Sequence, residues 1–241
     1  PSPITSTSDP FLTHVHSDFY EKARKYVENG GSLYASFASD GAVPEMASLF
    51  GARLVDRAPS TEVTIKMVKP FGDLKPGDTF HYLVPDQTIE SWGAILQVLG
   101  GKVIAVDQHN NPALIVNTVG RGKTLLSAYP VEHYLANVPA VFDQAENTHR
   151  IYEAFRDWVG FKSAFQTDDP AIEISALNGD HRGYLVVVNH SAEGKNVMIS
   201  AAAPVHTISR IAPEGVTPVS LQGFAFKLQL GPYDGTILEW K

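Results

Sequence analysis

Residues 119–124, Val-Gly-Arg-Gly-Lys-Thr, end in the Gly-Lys-Thr that closes a phosphate-binding loop, where backbone amides and a lysine would cradle a nucleotide. The first glycine of that motif should stand where Asn117 stands. Lys123 also leads into the apolar run from Thr124 to Tyr129, a strand pattern, whereas anion binding needs a helix N-terminus to aim its amides at the charge. The segment therefore reads as a tight hairpin turn.

Other groups have chemical potential without a completed constellation. His14, His16 and Asp18 offer two imidazoles and a carboxylate at spacing two, which in a strand would share a face and could ligate a metal. No third histidine lies near, and Asp18 or Ser17 is well placed to cap a helix instead. His133, His149, His181 and His190 fall at domain edges and beside turns, where surface or capping roles are expected, and none has an evident catalytic partner. Ser36 and Ser39 follow a strand, where a nucleophile elbow would sit, but the Gly-x-Ser-x-Gly frame is absent. A serine hydrolase would require one serine within reach of a histidine. Acids are plentiful, yet no pair is marked for glycoside hydrolysis, which needs two carboxyl groups across one bond. Trp92, Tyr82, Trp158 and Trp240 could stack on sugar rings if exposed. Trp158 and Trp240 sit on apolar faces and read as core, which leaves Trp92 and Tyr82 as the stacking candidates.

Composition narrows the classes. The absence of cysteine removes disulfides, thiolate zinc sites, iron–sulfur clusters and thiol nucleophiles together. A net charge of −7 without any Lys/Arg run disfavours nucleic-acid partners. No stretch reaches the roughly 18 apolar residues of a membrane-spanning helix, and the opening residues lack the regions of a signal peptide. With 44% hydrophobic residues, 241 positions can bury one large core or two small ones. No cofactor is implied, and the compartment is left open.

The elements that must position these residues follow from periodicity. A helix from Ser17 or Asp18 to about Asn29 places Phe19, Ala23, Tyr26 and Val27 on its buried stripe, with Glu21 and Lys25 paired on the wet side. A strand at 32–38, a short helix at 44–50 and a strand at 52–57 give a strand–helix–strand order, the sign of a parallel sheet. Val63, Ile65 and Met67 alternate with polar residues in an antiparallel-type strand, and further strand-like runs follow Gly77 and surround Val103. The runs at 102–108, 112–119 and 123–129, separated by His-Asn-Asn and Gly-Arg-Gly, predict a three-stranded meander. The segment 89–99 is ambiguous between helix and strand. Asp143 with Glu146 forms a capping-box signature for a helix that buries Ile151, Ala154, Phe155 and Trp158 and stops at Gly160. After the polar joint 162–170, about seven short strands predict a small antiparallel sandwich.

The run from Phe19 to Asp40, containing Tyr-Val-Glu-Asn-Gly-Gly, resembles the middle, trimerisation domain of family 42 β-galactosidases and related clan A glycoside hydrolases. Residues 112–135 resemble that family's pair of strands joined at a glycine-marked turn before the last helix. Residues 183–200 and 228–240 look like its C-terminal β domain. The implied fold class is α/β: a Rossmann-like, class I glutamine amidotransferase-like domain over 1–162, followed by an antiparallel β domain over 163–241. In such domains the segment at Pro1 follows an earlier strand and helix, so the first βα units are expected to lie outside this chain, leaving a sheet edge that needs cover.

The resemblance also implies function. In that family a (β/α)8 barrel carries an acid/base Glu, usually after Asn, and a nucleophile Glu; no Asn-Glu dipeptide occurs here. The amidotransferase relatives use a cysteine, which this chain lacks. The expectation is a non-catalytic accessory and oligomerisation region of a glycoside hydrolase, partnered by the catalytic barrel and by copies of itself, a trimer by resemblance. The alternative is a stand-alone module that binds carbohydrate or another protein.

Overall fold

The computed structural model describes residues 17–36, 44–86, 88, 91–141, 147–179 and 182–241. These form a mostly β structure with a few helices and several sheets, in two compact units that part between Gly160 and Phe161.

In the first unit, helix α1 (Ser17–Glu28) buries Tyr20, Ala23 and Val27. Tyr26, expected on that stripe, is 58% exposed; the buried face runs through Tyr20 instead, at i, i+3 and i+7. Glu21 and Lys25 pair at 2.7 Å on the wet side, as the spacing predicts. Strand β1 (Ser32–Ser36), helix α2 (Pro44–Phe50) and strand β2 (Ala52–Ala58) follow in the expected order. Their pairing differs. β2 pairs antiparallel with β5 (Gly93–Val98) in a separate two-stranded sheet, which also resolves the ambiguous 89–99 segment as containing a strand.

The main sheet has six strands in the order β1-β8-β7-β6-β3-β4, where β3 is Glu62–Met67, β4 Thr79–Leu83, β6 Lys102–Val106, β7 Pro112–Val119 and β8 Gly122–Ser127. The parallel sheet read from strand–helix–strand order is confined to one pair, β1 with β8; every other neighbour is antiparallel. In β3 the alternation reads true: Val63, Ile65 and Met67 are buried while Glu62 and Lys66 are exposed. β6, β7 and β8 form the expected meander.

Helix α3 (Val131–Ala136) follows β8 after one short turn, and α4 (His149–Val159) ends on Gly160 at φ 79°, the left-handed conformation that glycine adopts without strain. Thr148 occupies the N-cap position of α4; Asp143 and Glu146, the predicted capping box, lie outside the described residues. Ile151 and Ala154 are buried, and Phe155 and Trp158 pack on the same core as α1, α2 and the sheet.

The second unit is antiparallel throughout. A five-stranded sheet, β10-β11-β17-β13-β14, comprises Ile172–Asn178, Gly183–Asn189, Gly235–Trp240, Ile208–Ala212 and Gly215–Val219 in that order. A four-stranded sheet, β15-β16-β12-β9, comprises Leu221–Gln222, Ala225–Leu230, Lys195–Ala201 and Phe165–Gln166. Leu185, Val187, Ile208 and Leu238 from the first and Phe165, Val197, Ile199, Phe226 and Leu228 from the second share one core, the inner layer of a sandwich. The two short strands, β9 and β15, are the ones that sequence patterning does not distinguish from turns.

Candidate functional site

At the end of the one parallel pair of the main sheet, β1 with β8, Ser36 lies opposite Ser127 and the chain turns from β8 into α3. Ser127 is fully buried and its Oγ donates to the Tyr129 carbonyl, which fixes that turn. The first turn of α3 then presents two consecutive polar residues, Glu132 and His133, to two different clusters.

Glu132 accepts hydrogen bonds at Oε1 from the hydroxyls of Tyr34 on β1, at 2.5 Å, and Tyr152 on α4, at 2.7 Å. The two rings meet edge to face, with centroids 5.4 Å apart. Burial first, then the neighbouring Tyr152 and the Glu132 carboxylate, push the Tyr34 phenol well above its ordinary range; burial and Glu132 raise Tyr152 likewise. Both phenols therefore stay protonated, as the donors that the carboxylate needs.

His133 faces the segment between β4 and β5. Its Nε2 lies 3.4 Å from Asp86 Oδ2 and 3.4 Å from Ser91 Oγ, while Ser91 Oγ donates to Asp86 Oδ1. The hydrogen bond from Ser91, with the Thr88 amide next, holds the Asp86 carboxyl down to about 2. Serine, histidine and aspartate together invite comparison with a hydrolase, but the arrangement differs. In a triad the acid holds one imidazole nitrogen and the serine meets the other. Here both meet Nε2, the serine is fully buried, and its proton is committed to the carboxylate. The cluster pins this segment to α3, as does Tyr134, whose hydroxyl donates to the Ser91 carbonyl at 2.6 Å. Sequence reading missed both clusters, because their members stand 42 and 98 positions apart, with no motif to join them.

The sequence-derived candidates fall as follows. Tyr82 is 3% exposed and its hydroxyl hydrogen-bonds Thr148 Oγ1 at 2.9 Å, so its ring offers no face to a sugar; the strand alternation that buries Val63 opposite it buries Tyr82 too. Trp92 is half-buried beside Ser91. Lys123 donates to the Trp158 carbonyl, and Thr124 Oγ1 donates to the Leu49 carbonyl at 2.9 Å, so the Gly-Lys-Thr side chains are spent within the protein at a hairpin. His14, His16, Ser39 and His181 lie outside the described residues. His190 pairs with Glu173 at 2.9 Å. Among the described residues no group of three or more His, Asp or Glu could hold a metal ion, and no helix is long and apolar enough to cross a membrane.

No protein-family model matches the chain, and no curated protein matches it in sequence. Solved structures are similar to it in fold. The β-galactosidase from Bacillus circulans sp. alkalophilus superposes with a TM-score of 0.62 at 17% identity, over 93% of this chain and 31% of that one. The β-galactosidase from Rahnella sp. R3 gives 0.61 at 15% identity, over 91% and 30%. A catalytic mutant of Gan42B, a GH42 β-galactosidase from G. stearothermophilus, gives 0.59 at 11% identity, over 93% and 30%. The chain shares its fold with part of the GH42 β-galactosidases. It spans about 30% of their length, and its likeness to them covers both units.

Proposed function

We propose that this chain is the non-catalytic accessory and oligomerisation region of a glycoside hydrolase of the GH42 β-galactosidase kind, with hydrolysis of the O-glycosyl bond carried out by a barrel that the chain does not contain. The observation that carries this reading is the fold likeness, over 93% of this chain but only 31% of a β-galactosidase. The carboxylates support it. Glu132 is occupied by two phenols, and Asp86 and Asp107 by hydrogen bonds from their own segments and neighbours, which is the behaviour of structural acids rather than of an acid and nucleophile facing one bond.

In this reading residues 1–162 form a Rossmann-like, amidotransferase-like domain, supported by the parallel pairing of β1 with β8, and assemble as a trimer; residues 163–241 form the β domain that braces the barrel. The purified chain is then inert toward aryl β-galactosides, and light scattering gives three times the chain mass. Turnover by a pure sample, abolished by substituting a Glu of this chain, overturns the reading.

The second reading, a stand-alone carbohydrate-binding module, rests on Trp92 as a stacking residue next to the Asp86–Ser91 cluster. Sugar-dependent quenching of tryptophan fluorescence that is lost in Trp92→Ala favours it over the first.

A further inference from the structure

The two sheets of the second unit differ in what they turn outward. On the four-stranded sheet the alternation is ordinary: Val197, Ile199, Phe226 and Leu228 enter the core, while on the outer face Asn196 stands opposite Gln229 and Met198 opposite Lys227. On the five-stranded sheet the positions between the core residues are apolar as well. The register lines up Ser175 of β10, Val186 of β11, Ile237 of β17, Ile211 of β13 and Val216 of β14 in one row across all five strands. Ile211, Ile237 and Val216 are 36%, 46% and 64% exposed, and Leu177, opposite Tyr184 in the next row, adds to the same face. Strands that are apolar on both sides, as β11 is from Tyr184 to Val188, belong to sheets covered on both faces.

The face itself indicates its cover. The row carries no charge, and charges of opposite sign stand at its two rims. At one, Arg182 and Lys241 each lie 3.6 Å from Glu239, an excess of one positive charge; at the other, Glu173 pairs with His190. A two-fold axis along the row lays a second copy's row on the first and exchanges the rims, so the positive end of each copy meets the Glu173 end of the other. Sheets stacked in this way pack about 10 Å apart. Edge-on addition is disfavoured, because the outer strand β14 carries Pro218, which has no N–H to offer. Five strands about 4.8 Å apart and about 20 Å long present roughly 400 Å², about half of what one partner contributes to a standard interface. Pairing through it is therefore weak and concentration-dependent. We propose that the outer face of the five-stranded sheet is a self-complementary interface through which two copies of this chain pair.

The test follows the mass of the full chain by analytical ultracentrifugation from about 1 to about 500 µM. The mass is expected to at least double over that range, with a Kd on the order of 100 µM for so small a face. Ile237→Lys, at the centre of the row, should hold the mass at its dilute value throughout. Val216→Lys, at a side chain already mostly in water, should weaken pairing about tenfold and keeps the test decisive should Ile237→Lys fold poorly. Glu173→Lys and Arg182→Glu should each weaken pairing several-fold, and the double exchange should restore it, as crossed rims require. The mass is read relative to its dilute limit, so this pairing and the trimer proposed above fail separately. A mass that stays constant up to about 500 µM, a rise unaltered by both lysine substitutions, or a double exchange that does not restore pairing overturns the proposal; in the first two cases the face is left to a partner other than this chain, in the last to a different arrangement of copies.

Discussion

The Lys123 ammonium lies 4.9 Å from the centroid of the Trp158 ring and donates to the Trp158 carbonyl oxygen. Lys123 is the second residue of β8 and Trp158 stands in the last turn of α4, so one side chain closes the end of a helix onto the sheet. The cation also faces the negative end of that helix. Lys123→Met keeps the apolar stem and removes the charge; a loss of about 1–2 kcal/mol in urea unfolding is expected. Neither protein should show a Tm shift with ATP, and a nucleotide-dependent rise in Tm lost in the variant would restore the phosphate-loop reading.

A second pair of substitutions tests the packing of the same hairpin. A Cβ at Gly122 would stand 2.0 Å from the Val27 carbonyl oxygen and 2.3 Å from that of Gly31, both backbone atoms that cannot move without shifting α1. Gly122→Ala should cost about 3 kcal/mol. At Gly100 nothing lies within 4 Å of an added Cβ and the backbone is not left-handed, so Gly100→Ala should be neutral or stabilise by about 0.5 kcal/mol. Urea midpoints of the two variants should differ accordingly; equal values would mean that the hairpin does not pack on α1 as described.

Why some of this was legible in the sequence and some was not follows from range. β3 could be read because burial on one face forces Val63, Ile65 and Met67 to alternate with polar residues, a local pattern. The meander could be read because its turns carry Asn110 and Gly120, both at positive φ, between runs that pair with their nearest neighbours. β2 was misassigned because a short apolar run states that it is buried but not what it pairs with; its partner β5 lies across β3 and β4 in the sequence. Tyr26 was misplaced for a related reason. It packs on Gly31 with its ring, close enough that a Cβ there would clash, yet leaves most of its surface in water. The Tyr34–Glu132–Tyr152 and Asp86–Ser91–His133 clusters are products of topology alone, since α3 brings consecutive residues to both.

Asp107 tests how much one buried carboxylate organises. It is 4% exposed and accepts from the amides of His109 and Asn111, the Asn111 side chain and, at 2.7 Å, the Tyr129 hydroxyl. Asp107→Ala leaves these donors unpaired and should cost about 3 kcal/mol. Tyr129→Phe alone should cost about 1–2 kcal/mol. The double variant should cost less than the sum, because the phenol donor has already lost its acceptor; strict additivity would mean that the contact contributes nothing.

The Asp86 cluster makes a prediction in pH. Its carboxyl is lowered from 3.8 to about 2, chiefly by the Ser91 hydroxyl and then by the Thr88 amide. A carboxyl depressed on folding contributes stability that is fully present above its unfolded value, near 4, and is lost as pH falls through the folded value. The relevant window is therefore about pH 4 down to about pH 2, and neutral pH should be insensitive to this group. Ser91→Ala removes the largest cause and should bring the Asp86 titration, followed by the carboxyl 13C shift, back toward 3.8. Its acid-unfolding midpoint should move to higher pH while the Tyr134 hydroxyl keeps its bond to the backbone carbonyl of residue 91. An Asp86 titration unchanged by Ser91→Ala would show that the serine hydroxyl does not hold that carboxylate in solution, and with it would go the claim that this pair closes the β4–β5 segment on itself beside His133.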